Sequence, residues 1–228
     1  MKKPVFYTEA AYIAGLLFLA LGTAFMERAD LGISMVVAPA YLIHLKLSQS
    51  AAFYTFGTSE YVFQAFLILL LALVMRRFKR AYLFSFATAV IYGFTLDLFM
   101  SLAARIPIAG FAMRLVFYAA GLALCSVGVA FFFKTYLIPE AYELFVKEIA
   151  EKLGAKTAAV KTVYDIVSCA VGVALSFIFF GFGRFEGVKI GTIVCALVNG
   201  PLIGLVSSLM DRAFEFRDAL PLRGFFGR

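Results

Sequence analysis

The sequence predicts an all-α integral membrane protein of six transmembrane helices arranged as two inverted three-helix repeats. Three observations carry that prediction. Of 228 residues, 63% are hydrophobic and 15% charged, a mixture that a water-soluble domain could fold only by exposing large apolar patches. Apolar runs of about 20 residues, the length that crosses a hydrocarbon core, recur along the chain. A spaced pattern of Tyr and Gly in the first run also returns about 106 residues later.

Apolar continuity places the spans near Ala10–Met26, Ala52–Met75, Tyr82–Ala103, Ala112–Phe133, Ala159–Phe182 and Val188–Met210. The first span is read as a retained helix: its charged start and apolar stretch resemble a signal peptide, but no small-residue cleavage site precedes its flank at Glu27, Arg28 and Asp30. Two connections are long. Glu27–Ser50 contains the apolar stretch 33–43, too short to span and interrupted by Pro39; a re-entrant or interfacial segment and an apolar loop packed on the bundle fit it equally. Lys134–Ala158 contains an amphipathic helix after Pro139, supported by i,i+4 pairs such as Glu143–Lys147 and expected to lie along the membrane surface.

The net charge of +7 does not signal nucleic acid, because the basic residues stand at the ends of apolar runs rather than in one aromatic-laced stripe. They read as topology signals. Lys2, Lys3, the Arg76-Arg77-Phe78-Lys79-Arg80 turn, Lys134, Lys147, Lys152, Lys156 and Lys161 fall on one side, which the positive-inside rule makes cytoplasmic together with both termini. The expected location is the cell's inner (plasma) membrane. Cys125, Cys169 and Cys195 lie inside apolar runs without metal-ligand spacing and read as packing residues. Trp is absent, which leaves interfacial anchoring to Tyr, Lys and Arg.

The repeat matches Tyr12-x-x-Gly15-Leu16…Gly22-x-Ala24-Phe25…Leu31 to Tyr118-x-x-Gly121-Leu122…Gly128-x-Ala130-Phe131…Leu137. With a drift of one residue, Glu60 then meets Asp165 and Gly93 meets Gly200. Residues 1–107 and 108–228 form the two units of one membrane domain. A unit of three spans begins and ends on opposite sides, so its second copy is inverted, the arrangement that recurs in secondary transporters.

Ionisable groups at membrane depth are expensive and are functional candidates by default. Glu60 with Gln64 in span two, Asp97 in span three, Asp165 in span five and Asn199 in span six are therefore the candidate substrate or proton contacts. The competing assignments are helix-end acids for Glu60 and Asp165, and packing kinks at Asp97 and Asn199-Gly200-Pro201, where freed carbonyls could also coordinate a ligand. Glu27, Arg28 and Asp30 are candidate gate residues, although Asp30-x-Gly32 is also plain turn chemistry. Arg114 reads as a snorkelling arginine, with pairing to one of these acids as the alternative, and His44 as a lone exposed histidine, with a proton sensor as the alternative. Gly15, Gly22, Gly121 and Gly128, seven apart in each helix, predict close helix contact. No catalytic constellation, cofactor fingerprint or metal-ligand pattern is present, so neither an enzyme nor a cofactor or metal site is expected.

Through Leu21-Gly22…Arg28-Ala29-Asp30-Leu31-Gly32-Ile33-Ser34, Gly57-Thr58 and Gly187-Val188-Lys189-Ile190-Gly191-Thr192, the chain resembles the bacterial YczE/YyaS/YitT family of membrane proteins. It departs from that family's polar-aromatic stretch after the A-D-L-G turn, where Met35-Val36-Val37-Ala38-Pro39 is apolar. The resemblance implies a transporter without naming a substrate. The expected function is alternating-access transport, including proton-coupled export, of a small cationic or zwitterionic organic solute. Two alternatives are a substrate-binding subunit of an ATP-driven vitamin uptake complex and a membrane scaffold docking partners through residues 139–153. The expected partners are the lipid bilayer and a small-molecule solute, with a homodimer through the glycine faces compatible with the sequence.

Overall fold

The computed structural model describes residues 3–155, 157–221 and 223. Six helices are long and apolar enough to cross a membrane: α1 (Thr8–Ala29), α3 (Phe56–Met75), α4 (Arg80–Ala103), α5 (Gly110–Phe132), α7 (Thr157–Phe180) and α8 (Ile190–Ala213). Two shorter helices, α2 (Ala38–Leu47) and α6 (Ala141–Leu153), occupy the two long connections. This is a multi-pass helical membrane protein. Short strands β1 (Val5–Tyr7) and β2 (Glu215–Arg217) pair in parallel and hold the two ends of the described chain on one face of the bundle, here the terminal face. The strand pair carries no periodic apolar signature, and the sequence reading missed it.

The core is the crossing of α1 and α5. A Cβ on Gly22 would lie 2.7 Å from the Gly121 carbonyl oxygen, and one on Gly121 equally close to that of Gly22; Gly15 and Gly128 meet the same way, at 3.0 and 2.8 Å. Only glycine permits this approach, as expected from the sevenfold spacing. Hydroxyls lie along the seam, where Thr23 contacts the Tyr92 hydroxyl at 3.0 Å.

The other contacts come in matched sets. Helix α4 packs on α1 as α8 packs on α5; α2 rests on α3 and α7, and α6 rests on α7 and α3. One match fails: α3 packs along α4, but α7 and α8 make no extended contact. The glycines mark this difference. A Cβ on Gly57 of α3 would come within 2.0 Å of the Gly93 carbonyl oxygen of α4, whereas Gly200 and Gly204 of α8 face open space.

Three expectations are corrected. The amphipathic segment does not lie along a membrane surface: α6 is enclosed by α3, α4 and α7, and its buried face includes Glu148 as well as Tyr142, Leu144 and Val146. Its charge is absorbed internally, because Lys79 donates to both Glu148 carboxylate oxygens at 2.6 Å. Glu143 is not ion-paired with Lys147, since its side chain turns inward while Lys147 is exposed. Pro39 does not interrupt the first connection but starts α2, where its fixed φ and missing N–H cost nothing. Pro201 lies inside α8, which continues through it.

Candidate functional site

Helix α6 stands between two polar compartments. The first is closed. Thr55 caps α3 by accepting from the Thr58 amide at 3.1 Å, which sets Glu60 in the second turn and Gln64 one turn deeper, both fully buried. The Gln64 carbonyl accepts from the Ala141 amide, an otherwise orphan donor at the start of α6 (3.0 Å). That bond fixes the amide orientation, so Nε2 faces Glu140 (2.9 Å) and more distantly Glu60 (3.5 Å). Tyr142 donates to Glu60 Oε2 at 2.8 Å. Two buried carboxyls thus share one amide, among the described residues no cation is bonded to either, and Oε1 of each is buried without a hydrogen-bond partner. Burial pushes Glu140 well above the carboxylate range, and the charges of Glu143 and Glu60 push it further, outweighing the bond from Gln64. This setting favours the protonated form of the Glu140 carboxyl.

The second compartment is a cavity of about 1100 Å³. It runs from Tyr136 and Lys147 at the terminal face, past Asn199 and Asp165, to Ser34–Val36 near the far end. Asp165 is ion-paired with Lys161 one turn back, at 2.7 Å. The Asn199 carbonyl accepts from Ser126 at 2.8 Å, which directs the remaining hydrogen-bonding capacity of that side chain to its amide protons. Glu143 also lines the cavity, and its Oε2 has no partner. Burial raises the Glu143 carboxyl, against the pull of Lys161.

Beyond Ser34–Val36 the far face is latched. Asp30, in the left-handed conformation that ends α1, bonds Arg114 and bonds Lys189 at 2.5 Å. Burial alone would raise its carboxyl, but Lys189 and Arg114 together hold it below the usual range. Backbone bonds from Gly191 to Leu31 (2.9 Å) and from Ile33 to Gly187 (3.3 Å) tie the same elements. Arg28 donates to the Ile106 carbonyl, and Glu27 accepts a long bond from Tyr41.

The candidate residues therefore separate. Glu60 and Gln64 share the closed compartment, and Asp165 and Asn199 share the cavity. Asp97 joins neither: its carboxylate accepts from Thr55 Oγ1 at 2.6 Å and from the Gly57 amide at 2.8 Å, bracing the start of α3. Glu60 lies buried in the second turn of α3, and Asp97 sits inside the continuous helix α4. Arg114 does not snorkel freely but holds Asp30. His44 is partly buried, its ring against Phe56 and its Nδ1 on the Tyr54 carbonyl at 2.9 Å. Sequence reasoning missed Glu140, Tyr142, Glu143 and Lys161. No local signal marked them, because the acids of α6 gather on one helix face as they would on a solvated amphipathic helix. Among the described residues no group of His, Cys, Asp and Glu is placed to hold a metal ion.

Residues 6–208, most of the chain, match the profile of one protein family. The chain belongs to DUF6198, a family of unknown function. No curated protein and no solved structure matches it. For this DUF6198 member the chemistry must be read from the two compartments and from the helices that separate them.

Proposed function

We propose that this DUF6198 protein is a secondary transporter of a small cationic or zwitterionic organic solute, coupled to protons, in which two inverted repeats exchange conformations. The observation that carries the reading is the unequal packing of matched helix pairs: α3 is closed on α4, while α7 stands off from α8 around a cavity. Inverted repeats work by exchanging such conformations between halves, so that a cavity open on one side becomes a cavity open on the other. The far-face latch at Asp30 and the cavity reaching the terminal face describe one of those two states. With the positive-inside rule, that state is open to the cytoplasm.

Glu143, Asp165 and Asn199 supply the solute contacts. Glu60 and Glu140, linked through Gln64, supply the proton site, and the charge of Glu143 acts directly on Glu140. A cation at Glu143 would cancel that charge and loosen the proton on Glu140, which couples the compartments across α6. The ion pair of Asp165 with Lys161 narrows the reading toward a zwitterion, because the cavity presents both signs. The resemblance to the YczE/YyaS/YitT proteins supports a transporter. A scaffold docking through residues 139–153 has less support, because α3, α4 and α7 already cover that helix.

Spin-label distances on two matched pairs test the reading: Val62 with Leu98 on α3 and α4, and Val167 with Leu205 on α7 and α8, all exposed, each replaced by Cys in a background free of the native cysteines. In proteoliposomes, changing pH or adding solute should lengthen the first distance as it shortens the second. Fixed distances at acid and neutral pH across a panel of amines and amino acids, with no solute-driven proton flux, would overturn it.

A further inference from the structure

We infer that the solute is an amphiphile, an ammonium head on an apolar tail, which enters the cavity from the bilayer between α7 and α8. The inference rests on the cavity being the solute path, and it names the substrate class. Helices α7 and α8 line one cavity yet make no extended contact with each other. A gap between two membrane-crossing helices opens sideways toward lipid. Within their apolar stretches only 17% and 11% of residues are buried, against 33–56% in the other four spans, and Val163 and Ile166 on α7, with Ile193 and Leu197 on α8, are exposed. A water-borne solute using the terminal face has no need of an apolar side entrance.

The interior suits the same molecule. Val129, Phe132, Ile138 and Ile203 offer an apolar wall, and Leu144 lies next to Glu143. Three of the cavity's charges are paired, Lys79 with Glu148, Lys161 with Asp165 and Arg223 with Asp218, while Lys147 stands exposed at its terminal-face mouth. Deeper in, among the described residues, Glu143 lines the wall with its Oε2 buried and without a hydrogen-bond partner, an acceptor that an ammonium group satisfies once the side chain turns toward the cavity. The volume, about 1100 Å³, lies just above the range for pockets that enclose drug-sized molecules, and is far more than a metal ion or small amino acid fills.

The chain contains no Trp, so a single introduced Trp reports without background. In vesicles of phosphatidylcholine brominated on its acyl chains, Ala196→Trp in the cavity wall should be quenched nearly as strongly as Leu197→Trp on the exposed side. Ile203→Trp repeats the measurement if the first variant does not fold. Dodecylammonium should relieve the quenching at concentrations where dodecanol does not. Glu143→Gln should weaken that relief by about tenfold, the order of one lost charge-assisted hydrogen bond, while Leu197→Trp stays quenched as proof of fold. The inference is overturned if the cavity Trp is unquenched, because closed helices or a second copy then cover the gap. It is overturned equally if dodecanol acts as well as dodecylammonium, or if Glu143→Gln changes nothing. These readouts are binding in a bilayer, so helix pairs that never exchange would fail the spin-label test and leave this one intact.

Discussion

At the scale of single residues, burial assigns different work to acids that look alike in the sequence. Asp97 accepts one hydroxyl and one backbone amide at the start of α3, which is helix-capping chemistry supplied from a neighbouring helix. Asp97→Ala should therefore cost about 1–2 kcal/mol of stability, the range for lost N-caps, as a lower melting temperature in detergent. Glu140 has a different signature. Its folded-state proton is held more tightly than in the unfolded chain, so the native state binds more protons above pH 4.5, where an ordinary glutamate ionises. Stability then falls as pH rises from 4.5 toward the raised value and levels off above it. Glu140→Gln should flatten that decline in melting temperature measured against pH, and an unchanged slope would show that the proton sits elsewhere.

At the scale of elements, matched glycines meet unequal surroundings. Gly93 and Gly200 align in the sequence, yet a Cβ on Gly93 would lie 2.6 Å from the Gly57 carbonyl oxygen, and one on Gly200 meets nothing within 4 Å. Gly93→Ala should force α4 away from α3 and destabilise by about 1–3 kcal/mol, the range for overpacking. Gly200→Ala should be neutral or stabilising by up to about 1 kcal/mol, the helix-propensity gain over glycine. Paired thermal melts would read the difference directly. If α7 closes on α8 in the alternate state, a bulkier Gly200→Leu substitution, which meets open space in this state, should keep the fold and lose exchange between states.

At the scale of the whole molecule, an ionic cluster ties three helices together at the far face. Asp30 joins the end of α1 to the starts of α5 and α8 through Arg114 and Lys189. Asp30→Asn should weaken both pairs and admit solvent from the far face to Ser34–Val36. A Ser34→Cys substitution, labelled by a membrane-impermeant maleimide from either side, measures this. Labelling should come from the terminal face alone with Asp30 intact, and from both faces with Asp30→Asn.

Six apolar runs long enough for a bilayer, the Tyr-Gly pattern returning after 106 residues and the glycines seven apart together determined the membrane class, the spans and the α1–α5 seam. These properties depend on length, hydrophobicity and the absence of a side chain, and each is written locally in the sequence. The tertiary structure decided the fate of the acids. Glu140 and Glu148 follow helical spacing as any wet face would, and only the enclosure of α6 by α3, α4 and α7 turns them into buried groups. The pairing of β1 with β2 and the parting of α7 from α8 depend on residues far apart in the chain, which no local pattern records. A carboxyl's role follows from what surrounds it, because desolvation and partner charges, not residue type, set the cost of its ionisation.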